Sequence, residues 1–336
     1  MTENIISKKT MRCFLEHLSH ERTLIGPVDT GKVIEYRETT VNYILMNDLV
    51  SYKSIKACYF PQTELMFTFE GDNITDNSSL PGYVIFGAKP CDLEALRVMS
   101  IVYSTGKYAD PFFLRRFEAN LVIGVGCITM KPGCFCNEMG VDKGFSDFCD
   151  IMLAEAGDKY PEESYIVTHL SEKGRRALKD FPDTSGIKLS NDRSALTSDT
   201  LEDKKIKLDV DTDDTYYFDI IDWEKVTKMC KGCGICTYIC PTCYCFDFKD
   251  VTEKGCAKRY KCWDSCMYPK FTLHASGHNP RDKRHERYRQ RVLHKYKYVP
   301  NNFDGAVACT GCGRCIRSCP VGINIKDIVK QVLDEK

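Results

Sequence analysis

The residues of this chain best suited to chemistry are cysteines, because two groups of them repeat one spacing. Each group reads Cys-x2-Cys-x2-Cys-x3-Cys-Pro, over 230–241 and again over 309–320. This is the spacing of bacterial [4Fe–4S] proteins, in which three thiolates surround one cluster and the fourth cysteine ligates the other cluster of a pair. The two groups, called here the first and the second cysteine run, therefore predict two clusters with exchanged fourth ligands.

The exchange gives one cysteine of each run to the cluster of the other run. The predicted ligands of cluster 1 are Cys230, Cys233, Cys236 and Cys319, and those of cluster 2 are Cys309, Cys312, Cys315 and Cys240. A pair of zinc sites built from CxxC elements is the alternative. Zinc does not explain a third cysteine at the same interval followed by Cys-Pro in both runs. The sequence has no base–nucleophile pair, P-loop or dinucleotide fingerprint, so no catalytic residue is predicted.

Four cysteines of the N-terminal half form another candidate set. Cys91 and Cys127 each follow a short apolar segment that reads as a buried strand, and Cys134 and Cys136 follow in a tight turn. Neighbouring strands of one sheet would bring the first two cysteines together. The residues leave two interpretations open, a third cluster or buried structural thiols, which free cysteines often are.

A last set of cysteines directly follows the first run. Cys243, Cys245 and Cys266 are candidate iron ligands, with Cys262 predicted to lie on the same helix as Cys266. The alternative is that these thiols only pack beside the clusters, and the residues favour it slightly.

The composition restricts the compartment and the classes of partner that we expect for the protein. The chain has 336 residues and 20 cysteines, seven before residue 216 and thirteen from there on. Since no secretory signal is visible, so many thiols predict metal binding in a reducing cytoplasm rather than disulfides. Lysine plus arginine and aspartate plus glutamate both total 47, so the net charge does not support nucleic-acid binding. The longest apolar run, 121–128, is too short to cross a membrane.

One basic run, 281–295, interleaves cationic residues with tyrosine. Nucleic acid is the less favoured explanation. We interpret the run as raising the potentials of nearby clusters or as docking a partner subunit. Arg287, Arg289 and Arg291 are the predicted docking residues.

The elements that must position these cysteines predict an α+β fold in two domains. Residues 1–215 read as a mixed α/β domain, and the polar segment 190–216 reads as a connection. Residues 216–336 read as an α-helical two-[4Fe–4S] ferredoxin domain with a long insertion at 246–305, also expected to be helical. The N-terminal strand-like segments are 32–36, 65–69, 83–86 and 121–125, and the helix-like segments are 9–20 and 92–99.

Beyond the two runs, the chain resembles a known family over nearly its whole length. The segments that carry the resemblance are Phe-Gly-Ala-Lys-Pro-Cys-Asp at 86–92, Asp-Pro-Phe at 110–112, Cys-Phe-Cys at 134–136, Pro-Thr-Cys-Tyr-Cys at 241–245, Trp-Asp-Ser-Cys at 263–266, Ser-Gly-His-Asn-Pro-Arg at 276–281 and Leu-His-Lys at 293–295. They are similar to the iron–sulfur β subunits of cytoplasmic sulfhydrogenase-type NiFe hydrogenases. The iron–sulfur subunit of anaerobic sulfite reductase and electron-input subunits associated with heterodisulfide reductase are similar too.

The resemblance implies an electron-transfer subunit without substrate chemistry of its own. Such a subunit passes electrons between a flavin subunit that handles NAD(P)H and a partner with the terminal catalyst, which is a hydrogenase, a heterodisulfide reductase or a sulfite reductase. The hydrogenase and heterodisulfide-associated branch fits better than the branch of anaerobic sulfite reductase. The resemblance also implies a third cluster on Cys91, Cys127, Cys134 and Cys136. The alternative of another class is an autonomous iron–sulfur reductase.

Overall fold

The computed structural model of the protein describes residues 5–47, 50–77, 82–156, 163–182, 206–209 and 211–335. It contains both helices and sheets, so the predicted α+β class is confirmed. Most of the predicted connection at 190–216 lies outside the described residues. The division into domains 1–215 and 216–336 stays a prediction.

The elements alternate between strand and helix in the N-terminal half and are mostly helical after residue 263. The strands are β1 (Ile5–Ser7), β2 (Thr23–Asp29), β3 (Ile34–Glu38), β4 (Thr63–Glu70), β5 (Asn73–Asp76), β6 (Tyr83–Ala88), β7 (Leu121–Val125), β8 (Ile151–Glu155), β9 (Ser164–His169), β10 (Phe246–Glu253) and β11 (Cys256–Trp263). The helices are α1 (Lys8–Ser19), α2 (Pro90–Ser104), α3 (Pro111–Ala119), α4 (Glu172–Asp180), α5 (Asp214–Asp219), α6 (Trp223–Val226), α7 (Ile235–Tyr238), α8 (Arg284–Leu293), α9 (Val299–Asn302), α10 (Arg314–Arg317) and α11 (Ile325–Asp334).

Seven strands form the main sheet, in the order β1-β9-β8-β7-β6-β2-β3. The central strands β2, β6, β7 and β8 run parallel, and β1, β3 and β9 pair antiparallel at the two sides. Strand β7 is buried along its whole length. Its uninterrupted apolar sequence is typical of a parallel strand that is covered on both faces.

Helices cover both faces of this sheet. Phe14 of α1 and Leu178 of α4 share one apolar core with Phe86 of β6, whereas Leu96 of α2 and Phe113 of α3 pack with strand residues that point to the opposite face. Successive side chains of a strand point to opposite faces, so one buried strand serves both cores. The result is a three-layer α/β/α arrangement, in which the predicted alternation of strands and helices is present but the layering comes from the structure.

A second, antiparallel sheet joins the two halves of the chain. Its order is β10-β11-β4-β5, so the hairpin β10–β11 from the insertion pairs with the hairpin β4–β5 from the N-terminal half. The helical expectation for 246–305 is therefore wrong over 246–263 and holds for α8, the π-helical turn His294–Tyr298 and α9. Lys254 and Gly255, with φ of 52° and 82°, form a two-residue connection of the kind that suits a hairpin.

Buried charges tie the second sheet to α3. Lys261 Nζ on β11 lies 2.9 Å from Glu64 Oε2 on β4 and 3.3 Å from Asp110 Oδ2, and Arg116 bonds the other oxygen of Glu64. Paired charges cost far less to bury than single ones, so this contact is held together by mutual neutralisation.

Candidate metal centre

The two cysteine runs fold alike. Each run passes through a loop, a left-handed glycine and a one-turn helix: Gly234 has φ 74° before α7, and Gly313 has φ 68° before α10. The third cysteine of each run lies on this short helix, and α7 packs against α10. The repeated sequence therefore produces a repeated local structure whose two copies face each other.

The first cavity between the runs, called the outer cavity, contains four predicted cysteines. Its lining includes Cys230, Cys233 and Cys236 from the first run and Cys319 from the second. Cys233 is exposed, so this cavity lies near the surface. Backbone amides already point at two of the sulfurs, with Gly232 N 3.4 Å from Cys230 Sγ and Ile323 N 3.3 Å from Cys319 Sγ.

The second cavity, called the inner cavity, has the reciprocal lining. Cys309, Cys312 and Cys315 of the second run meet Cys240 of the first run there. Cys240 and Cys312 are buried. Cys315 lines both cavities, so the two sites share a wall.

The donor sets suit iron–sulfur clusters. The outer cavity is lined by five thiols, the four predicted ligands and Cys315, and the inner cavity is lined by four. Each cavity also has a buried polar atom without a hydrogen-bond partner among the described residues. These atoms are Arg291 Nε at the outer cavity and Thr310 Oγ1 at the inner cavity. Buried donors are almost always satisfied in folded proteins. An anionic cluster with sulfide acceptors would satisfy both.

A buried lysine serves the inner cavity. Lys295 Nζ donates to Cys240 Sγ at 3.2 Å, to Thr242 Oγ1 at 3.0 Å and to Ala308 O at 3.1 Å. Burial by itself would lower the pKa of Lys295, but the nearby thiols of Cys240 and Cys243 raise it above the ordinary value. The hydrogen bond with Cys243, opposed by burial and aided by Lys295, holds the pKa of the Cys240 thiol well below its usual range.

The predicted docking surface on α8 is wrong. Arg287 and Arg291 are buried, with Arg287 Nε donating to Met267 O at 3.0 Å and Arg291 Nη2 to Cys236 O at 3.4 Å. Arg289 stacks on Phe218. Helical periodicity explains the error, since residues 287 and 291 are one turn apart and share the face that packs inward. The other interpretation of the basic run, positive charge beside the clusters, agrees with these positions.

The main sheet brings Cys91 and Cys127 together. They follow the neighbouring parallel strands β6 and β7, as the sequence predicts, and Cys91 begins α2. Burial raises the pKa of the Cys91 thiol well above its usual range, with further contributions from Asp92, Cys312 and Cys127. The two thiols therefore lie within electrostatic reach of each other.

The tight turn brings Cys134 and Cys136 together beside the second run. Burial, and then the neighbouring Cys134 thiol, raise the pKa of Cys136. Cys134 Sγ lies 3.4 Å from the carbonyl oxygen of Cys312. Cys312 thus lies close to Cys134 and within electrostatic reach of Cys91, so one cysteine of each N-terminal pair approaches this residue of the second run.

Cys243, Cys245 and Cys266 come together next to the inner cavity. A hydrogen bond with Cys266, opposed by burial, lowers the pKa of Cys245 to about 7. The Cys243 thiol is hydrogen-bonded to the Cys240 thiol. Cys262 lies on strand β11, where it pairs with Asp247, so its predicted helical position is wrong.

Two residues of this region were not found by sequence reasoning. Lys56, buried in the N-terminal half, donates from Nζ to Cys243 O at 3.0 Å and to Tyr238 O at 3.3 Å. Nothing in its local sequence indicates this contact across the chain. Arg314 is fully buried inside the second run, where the first run has Ile235. A charged residue at this position, between the second and third cysteines of the run, was a usable signal.

A separate cavity lies at the opposite end of the parallel strands, where β7 and β8 begin. Tyr59, Phe117, Phe148 and Asp150 line it, and it contains none of the candidate cysteines. Asp150 already accepts from Val122 N at 2.7 Å and from Ser171 Oγ at 2.5 Å. Its acidic group therefore serves to hold the sheet edge.

The described part of the chain contains neither a site for a single metal ion nor a membrane-spanning helix. No group of three or more histidine, cysteine or acidic side chains there converges closely enough to hold a single metal ion. A [4Fe–4S] cluster instead needs thiols that stand apart around a larger body, as they do around the two cavities. Within the same residues, every helix is too short or too polar to span a bilayer.

The cysteines that line the two cavities lie in a segment that matches a known family. Residues 229–323 match the family described as "4Fe-4S dicluster domain". This segment is a 4Fe-4S dicluster domain. The match contains both cysteine runs and the hairpin β10–β11, and it implies two [4Fe–4S] clusters for the chain.

The rest of the chain also has a relative. The protein is 28% identical over 335 residues to "Sulfhydrogenase 2 subunit beta" of Pyrococcus furiosus, with 95% of each chain covered. The similarity therefore extends over the N-terminal half of the chain as well as over the dicluster segment. Together the two comparisons confirm the predicted resemblance to iron–sulfur β subunits.

Proposed function

We propose that the dicluster domain holds its two clusters by exchanged ligation. Cluster 1 is bound by Cys230, Cys233, Cys236 and Cys319, and cluster 2 by Cys309, Cys312, Cys315 and Cys240. The observation that carries this assignment is the lining of the cavities: the first three cysteines of each run line one cavity together with the fourth cysteine of the other run. Cys315, which lines both cavities, is assigned to cluster 2 with the other cysteines of its run. When bound, the clusters supply one-electron redox chemistry, and the chain's own residues hold them, bury them and set their electrostatic environment.

A third cluster on Cys91, Cys127, Cys134 and Cys136 is part of the same proposal. Its support is the pairing of Cys91 with Cys127 at the carboxyl ends of β6 and β7 and the position of Cys134 beside Cys312. Cys243, Cys245 and Cys266 stay candidate iron ligands. Their contact with Cys240 and with one another fits packing beside cluster 2 equally well.

We further propose that the protein relays electrons within an oxidoreductase complex. It would accept them from, or pass them to, a flavin subunit that handles NAD(P)H on one side and a catalytic subunit on the other. The relative's name, subunit beta of a sulfhydrogenase, supports a hydrogenase-type partner. A heterodisulfide reductase or a sulfite reductase remains the alternative terminal partner, and a reducing cytoplasm the expected location.

Native purification under anaerobic conditions tests the relay. We expect the chain to co-elute with a flavoprotein and a catalytic subunit, and the isolated chain to show no turnover with NAD(P)H alone. Iron content and the electron paramagnetic resonance (EPR) signals of the reduced chain test the clusters separately. Enzyme-like substrate reduction by the isolated chain with NAD(P)H would show instead that it is an autonomous reductase.

A further inference from the structure

The N-terminal cysteine site and the second cysteine run touch through their backbones. Phe135 N donates to Gly311 O at 2.8 Å. A Cβ on Gly311 would lie 2.5 Å from the carbonyl carbon of Phe135, and one on Gly313 would lie 2.3 Å from Gly133 O. The loop that carries Cys134 and the loop that carries Cys312 are thus packed at a distance that only glycine permits.

A single guanidinium bridges the same two loops. Arg317 Nη1 donates to Cys134 Sγ at 3.3 Å and to Pro132 O at 2.9 Å, while Nη2 donates to Cys312 O at 3.1 Å. Arg317 is the last residue of helix α10 in the second run. Arg317 of the second cysteine run therefore hydrogen-bonds a sulfur of the N-terminal cysteine site.

A buried ion pair forms the other half of this contact. Arg314 Nη1 lies 2.5 Å from Asp92 Oδ1, Nη2 lies 2.8 Å from Asp92 Oδ2, and both side chains are at most 1% exposed. Asp92 directly follows Cys91, and Arg314 lies between Cys312 and Cys315. The thiols of Cys91 and Cys312 both interact with the Arg314 charge.

We propose that the N-terminal cysteine site and cluster 2 form one electrostatically coupled redox unit, with Asp92, Arg314 and Arg317 as the positioning residues that join them. The proposal rests on the third cluster of the proposed function. The physical reason is the low effective dielectric of the buried contact, where charge is screened far less than at the surface. A charge placed at the Asp92–Arg314 pair therefore acts on both sites at once.

The variant Asp92→Asn tests this coupling, because it leaves the Arg314 charge without its counter-ion. An added positive charge favours the reduced cluster, so we expect the midpoint potentials of the third cluster and of cluster 2 to rise together. That of cluster 1, on the far side of the shared wall, should shift less. The measurement is an EPR-monitored redox titration of the anaerobically purified full chain.

Glu64→Gln is the matched control. It also removes a buried, ion-paired carboxylate. Glu64 lies in the second sheet, where it contacts Lys261 of β11 and Arg116 of α3. It contacts none of the candidate cysteines. We expect its three potentials to match those of the unaltered protein. A shift in Glu64→Gln as large as in Asp92→Asn would overturn the proposal, because the effect would then come from lost stability.

Arg317→Gln keeps the test decisive if Asp92→Asn does not fold, since Arg317 is exposed. Losing a donor and a positive charge at Cys134 Sγ should lower the potential of the third cluster, and Arg317→Lys should restore part of it. Iron measured on the same samples tests the third cluster separately from the coupling. Iron for only two clusters in the unaltered protein overturns the third site itself. Iron for three clusters with unshifted potentials in both the Asp92 and Arg317 variants overturns the coupling alone.

Discussion

The dicluster domain and the N-terminal half of the chain bring their thiols together by different means. In the dicluster domain, three cysteines within seven residues are set in place by a loop and a single helical turn, so most of each site is local. In the N-terminal half, Cys91 and Cys127 lie 36 positions apart and meet because β6 and β7 are neighbours. Local sites can be read from spacing, whereas sites made by a sheet depend on strand order.

Both sets of cysteines nevertheless lie close to a residue that is distant in the sequence. Cys319 of the second run lines the outer cavity, and Cys312 lies close to Cys134 and within electrostatic reach of Cys91. The comparison therefore suggests that each site combines an independent local part with a part supplied by tertiary contact.

Substituting the cysteine that each cluster takes from the other run should have the largest effect. Cys319→Ser is expected to remove cluster 1, whose other three ligands belong to the first run, and to leave cluster 2 in place. Iron should fall by about four atoms per chain, with one EPR signal lost. Cys240→Ser is the reciprocal variant and should remove cluster 2. Loss of cluster 2 in Cys319→Ser would show that each run binds its own cluster.

The N-terminal site should be separable from the dicluster domain. Cys134→Ser is expected to remove about four irons, the third cluster, while the clusters of both runs stay. Cys149→Ser, a substitution of a cysteine outside every candidate set, is the control and should keep all iron. Unchanged iron in freshly prepared Cys134→Ser would identify Cys134 as a structural thiol.

Removing the buried ammonium at the inner cavity should affect potential and stability together. In Lys295→Met, cluster 2 loses a positive charge and a donor to Cys240 Sγ, so its midpoint potential should fall. Thr242 Oγ1 loses the ammonium as its donor, and Ala308 O keeps only the hydrogen bond from the Thr242 hydroxyl, so we expect a cost of about 1–3 kcal/mol of stability. Arg289→Gln, which removes the charge of the residue stacked on Phe218, should leave the potential of cluster 2 unchanged. Redox titration and denaturant unfolding measure the two effects.

A methyl group at Gly313 should loosen the contact between the two domains. Gly313→Ala combines a left-handed φ of 68° with a clash against Gly133 O, so we expect a loss of about 2–4 kcal/mol. Gly322→Ala is the matched control, because its φ is 70° but nothing lies within 4 Å of its Cβ position. Its loss should be about 1 kcal/mol. Equal losses in thermal unfolding would mean that close packing at Gly313 adds nothing.

The smallest expected effect is on the acid side of the stability profile. Burial, with Lys295 and Arg281, lowers the pKa of His294 to about 4, and its Nε2 lies 3.2 Å from Tyr244 Oη. The unfolded chain binds this proton near pH 6.5. The contribution of neutral His294 is therefore complete above pH 6.5 and is lost as the pH falls toward 4. Unfolding midpoints across this range should fall less steeply in His294→Gln, and parallel profiles would contradict the assignment.

Sequence reasoning was sufficient wherever one segment contains its own signal. The cysteine spacing predicted both runs, and the alternation of apolar segments predicted β6, β7, α2 and the α+β class. It failed at the hairpin β10–β11, although Lys254-Gly255 between β-branched and alternating residues was a readable turn. It also misplaced the basic run, because a charged helix can turn several arginines inward when anionic groups lie there.

By itself, the sequence determined the ligand types, their local spacing and the elements that carry them, because these depend on neighbours along the chain. Only the tertiary structure decided which thiols face which cavity, that Arg291 and Lys295 are buried beside them, and that Asp92 of one domain pairs with Arg314 of the other. The physical reason is that charge neutralisation in a buried contact depends on distance in space. Residues 92 and 314 carry no local signal of a pairing that exists only once the two domains are packed together.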